Sequence, residues 1–441
     1  MTRTISQLLN LSKNDNLRGI ITAIFLKAGA AICTFLLFSL MSNSRSMDEF
    51  GSFAIIWSAA SMMTVLAAFG QEMMVIRAWN EHTAANAPGK VKGGILIGFF
   101  TCLFGGIVGG LALGAYYWVT ESAFMGLMVG LFVPSLTLTA FSTHLGRAVI
   151  GVLISDGARD ILTFLPAILL LAGSLLFLSN FSNAEIFLVI SCAFIVSSSG
   201  VLTLVYLRLK QEFPEVLKEK AEVDFKEWWP TTKNLWGASL LESSNQYLDV
   251  VLLGFLMNPT AVGVYFVATR LANVFLTAAS AMHAFGSKRI THQYYHKHEV
   301  ELSSTLKTIA GMVGMVVAGG LLFTLLFGHW ALGIFGAEYV DSYDVLIILC
   351  IGTASITAAG AAPIILMVTG YEKNYLKALA MSVTTRLVGF VVLVPIFGIY
   401  GAAVAATFSL ILMALILAKN ARRLTGLDGT VLRFLSRPSA I

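Results

Sequence analysis

Charge is scarce in this 441-residue chain: only 12% of its residues are Asp, Glu, Lys or Arg, against roughly 25% in an ordinary soluble domain. With so much apolar residue beside it, that scarcity excludes a disordered chain and argues against a water-soluble enzyme. Cysteine is sparse as well. Cys33, Cys102, Cys192 and Cys350 each sit in an apolar run, so they read as small core residues, not as a disulfide framework or a CxxC metal site. No Walker A glycine loop occurs, and nothing points to ATP hydrolysis within the chain. The net charge of +5 is spread too thinly to form the basic stripe of a nucleic-acid binder. The first 19 residues are polar and the apolar run behind them is long enough to span, so no cleavable signal is visible.

What the chain has is apolar length. Hydrophobic residues make up 57% of it, and about 20 of them in a row cross a bilayer as a helix. Twelve such runs lie near 20–41, 52–71, 93–118, 124–144, 160–179, 184–206, 235–257, 260–285, 305–327, 343–369, 375–396 and 398–418. The expected fold class is an all-α polytopic membrane protein. If the N-terminus is cytoplasmic, the inner loops collect nearly all the Lys and Arg, and the outer loops hold Arg45 alone. Against it stand Asp48, Glu49, Glu121, Glu185, Glu338, Asp341 and Asp344. This asymmetry follows the positive-inside rule, and an even span count puts both termini in the cytoplasm. The expected organisation is a six-helix bundle over 1–207, an inner linker over 208–233, a second bundle over 234–418 and a basic tail over 419–441. The linker mixes both charges with Phe213, Val216, Leu217, Trp228 and Trp229, the pattern of an amphipathic surface helix or of a solvated connector.

The two halves resemble each other. Glu49-Phe50-Gly51-Ser52-Phe53 recurs in outline 212 positions later as Ala261-Val262-Gly263-Val264-Tyr265, and Pro134/Pro363 and Pro166/Pro395 are both 229 apart. Six spans per repeat give both halves one orientation, as in transporters built from parallel repeats. Proline removes a backbone donor and bends a helix, so matched prolines point to hinges or a site at the repeat interface. The bland alternative is the ordinary enrichment of proline in membrane helices.

Charges at membrane depth are costly and mark either a partner or a water-filled cavity. Lys27, Glu242, Asp249, Arg270 and Arg386 fall inside the runs, and Glu72, Arg77 and Arg159 near inner ends, within reach of headgroups. Folding the chain about Pro259 sets Asp249 opposite Thr269, beside Arg270, which predicts an Asp249–Arg270 pair. Glu242, Asn245, Gln246 and Asp249 share one helical face, a polar stripe suited to lining a cavity. In the functional reading Lys27, Arg270 and Arg386 attract an anionic group while Glu242 or Asp249, with Asn245 beside them, binds a coupling Na+ or H+. In the alternative reading the charges pair off and fix helix packing. The run GGIVGGLALG places GxxxG pairs at Gly105/Gly109, Gly106/Gly110 and Gly110/Gly114, which favours close helix approach. His292, His296 and His298 fall in an inner loop, where a solvated loop is the default over a metal site.

The run DEFGSFAIIWSAASMMTVLAAFGQEMMVIR at 48–77 resembles the opening of polysaccharide-transporter flippases. These are the Wzx-type members of the multidrug/oligosaccharidyl-lipid/polysaccharide (MOP) superfamily. Phe50, Gly51, Phe53, Gly70 and Arg77 carry the likeness, and FGAEYVDSYDVLIILCIG at 335–352 and PIFGIYGAAVAAT at 395–407 agree with it. Ser46-Met47 stands where a Leu-Gly pair often precedes the first loop's acid. The resemblance implies two six-helix bundles forming a V around a cationic cavity, with Arg77 as the family's closing arginine. It also implies alternating access that carries a polyprenyl-pyrophosphate-linked oligosaccharide, such as an O-antigen or exopolysaccharide unit, to the outer leaflet. The setting would be the cytoplasmic (inner) membrane of a bacterium. The expected energy source is an ion gradient, with no bound cofactor, and the expected partners are the lipid-linked substrate, membrane lipids and other polysaccharide-assembly proteins. The competing readings are a cation-coupled, MATE-like multidrug exporter and, further off, a membrane polysaccharide polymerase or ligase, which the short acidic outer loops disfavour.

Overall fold

The computed structural model describes Gly29 and residues 32–177, 181–223 and 225–434. All regular structure among them is helical: α1 (Ile32–Ser44), α2 (Met47–Ala68), α3 (Gln71–Ala84), α4 (Pro88–Thr120), α5 (Ala123–Val149), α6 (Val152–Phe177), α7 (Asn183–Glu212), α8 (Pro214–Lys218), α9 (Phe225–Leu256), α10 (Pro259–Ala272), α11 (Val274–Tyr295), α12 (Glu299–Gly333), α13 (Tyr343–Ala358), α14 (Ala362–Val368) and α15 (Glu372–Thr425). Short 3-10 turns occupy Ala337–Ser342 and Val431–Phe434. Among the described residues, eight helical stretches are long and apolar enough to cross a membrane. Their outward faces are greasy: Phe104 is 71% exposed and Leu111 68%, surface that acyl chains cover and water does not. The 54-residue α15 is two helices joined at Gly398, whose φ of 56° and ψ of −135° leave the helical region three residues after Pro395.

The chain divides into two compact units, Met1–Ser44 with Ala59–Leu240, and Arg45–Ser58 with Leu241–Ile441. The division runs through α2 and α9, each of which contributes one part to each unit.

In the first unit the glycine stripe of α4 does what small residues do in membranes, letting backbones touch. A Cβ on Gly114 would stand 2.7 Å from the carbonyl of Gly126 on α5, and one on Gly110 would run into that of Gly130. Between α2 and α3 the chain breaks at Phe69 (φ 51°) and Gly70 (φ 71°). The connector 208–223 is not one amphipathic surface helix. α7 runs on to Glu212, Pro214 opens the single-turn α8, and the irregular run beyond it docks on the start of α4. Glu222 N–H donates to Gly89 O at 2.9 Å, and Lys92 Nζ donates to the carbonyls of Leu217 and Glu219 at 2.8 and 2.9 Å. Trp228 then lies 5% exposed in α9, where its flat ring packs into the unit instead of anchoring a surface helix.

In the second unit the repeated motifs pack on each other. A Cβ on Gly51 would collide with the carbonyl of Pro259, and one on Gly263 would lie 3.3 Å from the Gly51 backbone. Phe50 meets Phe266 at 6.0 Å and Tyr339 at 6.1 Å, both edge-on. Phe50 and Phe53 are therefore core aromatics, and Gly51 and Gly263 allow the close approach. Asn258 caps α10 through a hydrogen bond from Ala261 N–H at 3.0 Å, with Pro259 in the first turn, a favoured start for a helix. Pro134, Pro166 and Pro395 lie within α5, α6 and α15, but Pro363 stands in the first turn of α14. There its missing N–H is no loss, so Pro363 starts a helix after the break at Ala359–Ala361 and bends none. The end of the chain is more than a basic tail: Asp428 bonds Arg422 at 2.7 Å, Gly429 O accepts from Ala361 N–H at 2.8 Å, and Arg433 donates to Ser303 at 2.9 Å.

Candidate functional site

The second unit holds a buried polar node among otherwise apolar helices. Asp249 sits two turns before the end of α9, on the polar face that the sequence marks out, and Arg386 sits four turns into α15. Arg386 Nη1 donates to Asp249 Oδ1 at 3.2 Å and Oδ2 at 3.4 Å, and to the carbonyl of Asn245 at 2.8 Å. Its Nε donates to Ser409 Oγ at 3.0 Å, and the Tyr265 hydroxyl donates to Asp249 Oδ2 at 3.0 Å. The two charged side chains are 3% and 9% exposed. Charge against charge, with both carboxylate oxygens hydrogen-bonded, is the arrangement that makes a buried ion pair tolerable.

The partner of Asp249 is thus Arg386 and not Arg270, as the hairpin argument expected. α9 and α10 do form the hairpin, but its register sets Asp249 against Tyr265, one helical turn before Thr269. Arg270 points its guanidinium over the Phe266 ring, 4.6 Å from the centroid, a cation–π contact. Glu242 is exposed, with the Tyr375 hydroxyl 3.5 Å from Oε1. Asn245 gives its carbonyl to Arg386, and its side-chain Oδ1 is buried without a hydrogen-bond partner. Arg77 lies on the surface of α3, paired with Glu81 at 3.1 Å one turn on. Lys27 falls outside the described residues. Of the expected set, then, Asp249, Asn245 and Arg386 come together; Arg77 does not join them. Tyr265 and Ser409 were missed. Their signal was faint: a hydroxyl on an apolar helix marks a polar node only when its partner is known.

His292, His296 and His298 do cluster, with the first two rings stacked at 4.1 Å. His296 Nδ1 is engaged with the His292 carbonyl at 2.8 Å, and no three His, Cys, Asp or Glu side chains among the described residues are arranged to hold a metal.

No known family profile matches the chain. Among curated proteins it is similar to the "Probable flippase AglR" of Haloferax volcanii, 24% identical over 190 residues. That match spans 40% of this chain and 38% of the relative. Solved structures share the fold over nearly the whole chain. An inward-facing MATE family transporter of the MOP superfamily superposes with a TM-score of 0.67 at 12% identity, over 92% of this chain and 97% of that one. A MOP superfamily transporter from Pyrococcus furiosus, described as having a binding pocket of reversed polarity, gives 0.59 at 12% identity over 94% and 96%. A Vibrio cholerae MATE transporter gives 0.55 at 14% identity over 94% and 100%. The chain is a multi-pass membrane protein with the MOP-superfamily fold.

Proposed function

We propose that this chain, built on the MOP-superfamily fold, is a flippase. Its cargo would be a polyprenyl-pyrophosphate-linked oligosaccharide, carried across the cytoplasmic membrane of a bacterium by alternating access and driven by an ion gradient. In this reading the chain crosses the membrane twelve times with both termini in the cytoplasm, and it is a transporter and not an enzyme. The observation that carries the reading is the Asp249–Arg386 pair. In the second unit no buried acid among the described residues is left to receive a cationic drug. Asp249, the buried carboxylate of the second unit among its described residues, is already neutralised by Arg386 and the Tyr265 hydroxyl. The guanidinium of Arg270 over Phe266 suits a pyrophosphate better than a cation. The likeness to a probable flippase over 190 residues supports the same choice.

The MATE-like exporter is the second reading, favoured by the fold of the solved neighbours. One pair of assays separates the two. The full chain is expressed in a strain lacking its own oligosaccharide flippase and scored for surface polysaccharide, and in a drug-sensitive strain scored for ethidium efflux. Restored polysaccharide without efflux is expected; efflux without polysaccharide, across several donors and at good expression, would give the exporter the better claim.

A further inference from the structure

The first unit carries a buried acid that the site above does not use. Glu72 occupies the first turn of α3, directly after the Phe69–Gly70 break, and is 7% exposed. Its Oε2 has no hydrogen-bond partner. The donors near the carboxyl are the Ser239 hydroxyl on α9 and its own backbone N–H. No Lys, Arg or His among the described residues lies within ion-pair distance of it. On the surrounding elements Arg77 is spent on Glu81, Arg147 of α5 on Asp156 and His144, and Lys92 of α4 on two carbonyls. Lys226 and Lys233 of α9 are exposed, the His82 ring lies tilted 5.9 Å from that of Trp228, and Cys102 of α4 is a titratable group that faces the carboxyl. At this burial the Glu72 side chain turns into the unit instead of reaching outward toward headgroups.

The packing around it is that of a joint. Thr232, Trp236 and Ser239 share one face of α9 and lie against residues 69–72. A Cβ on Gly70 would stand 2.7 Å from Trp236 N and 3.0 Å from Thr232 O. Phe69 stacks on Trp236 at 4.9 Å, and the Trp236 indole donates to Val65 O at 3.3 Å. An ionised carboxylate with no cation partner is expensive in such a place, even at a helix N-terminus that favours negative charge; a protonated one is not, because neutral carboxyls bury with far less loss of hydration. With Oε2 buried and unpartnered, the ionised form has no donor at that oxygen to offset its charge, and a proton there removes the charge.

We propose that Glu72 is a proton-binding site and the coupling carboxyl of the first unit, neutral while α3 lies against α9 and ionised when the Phe69–Gly70 joint opens. The coupling half of this statement rests on the transport reading above; the proton-binding half does not. Two measurements keep them apart. Infrared difference spectra of the full chain in lipid nanodiscs, wild type against Glu72→Gln, should contain the C=O stretch of a protonated carboxyl that survives above the pH at which an ordinary glutamate ionises and fades as the pH is raised further. Ser239→Ala, which removes a donor to the ionised form, should move that loss to higher pH, a change that a purely structural glutamate would not give. Absence of the band at every pH above the ordinary glutamate range overturns the proton site. In proteoliposomes carrying a lipid-linked oligosaccharide, Glu72→Gln should lose the acceleration produced by an imposed pH gradient. Full acceleration in Glu72→Gln overturns the coupling role, whereas failure of the wild type to move the oligosaccharide tells against the flippase reading and leaves the infrared result standing.

Discussion

Replacing Arg386 by Met should be among the most damaging single changes in the second unit. The substitution removes the donor that meets Asp249 at 3.2 and 3.4 Å and leaves the carboxylate with the Tyr265 hydroxyl at 3.0 Å. Asp249 is 9% exposed, so water cannot replace the guanidinium. Breaking a buried pair from one side costs about 3–5 kcal/mol, because an uncompensated charge stays behind. Arg386 also gives up its bonds to the Asn245 carbonyl and Ser409 Oγ, which places the expected loss toward the upper end. Removing both charges is different. Asp249→Leu with Arg386→Met leaves no orphaned charge, and it should return to within about 1–2 kcal/mol of the wild type. The coupling between the two sites is then several kcal/mol, although they lie 137 residues apart. The assay is reversible unfolding by SDS in mixed micelles for the two single variants and the double. Simple additivity, or a loss below about 1 kcal/mol in Arg386→Met, would refute the argument. So would equal coupling between Asp249 and Arg270.

Two further expectations concern packing and the tail. Gly51→Ala drives a methyl into the Pro259 carbonyl, a backbone atom held by the capped start of α10, and should cost about 1–3 kcal/mol. Gly254→Ala meets the Ile55 side chain first, 3.0 Å away, not a backbone carbonyl, and should cost less; thermal midpoints in detergent compare them. Burial alone would push the Asp428 carboxyl up, but the bonds from Arg422 and Thr430 outweigh it and hold it below its ordinary value. A depressed carboxylate stabilises the docked tail above its unfolded value and loses that contribution as the pH falls through the folded one. Protection of residues 427–434 in hydrogen exchange should therefore hold at neutral pH and fail only below about pH 4. Asp428→Asn should weaken it at neutral pH.

Much of the fold is written in local pattern, and the node is not. Apolar runs bounded by Asn258-Pro259 or by the glycines of α4 announce helices, their turns and their close contacts. The hairpin about Pro259 was equally legible, since it depends on a two-residue connection. The partner of Asp249 was not, because it comes from α15, and no local rule relates residues so far apart in sequence. The same holds for Glu72. A run ending in Phe69-Gly70 reads as the end of a span, and only the approach of Thr232, Trp236 and Ser239 turns it into a sealed site. Pro363 shows the converse error: matched spacing with Pro134 suggested matched bends, but a proline at the first turn of a helix and one within it do opposite things.

The account stands or falls on transport. The direct measurement is to reconstitute the full chain in proteoliposomes with a fluorescent polyprenyl-pyrophosphate oligosaccharide and to follow its protection from an external quencher. Movement of the lipid-linked sugar to the far leaflet, without export of ethidium from the same vesicles, is the expected result. Ethidium export with no movement of the lipid-linked sugar would contradict the flippase and leave the exporter.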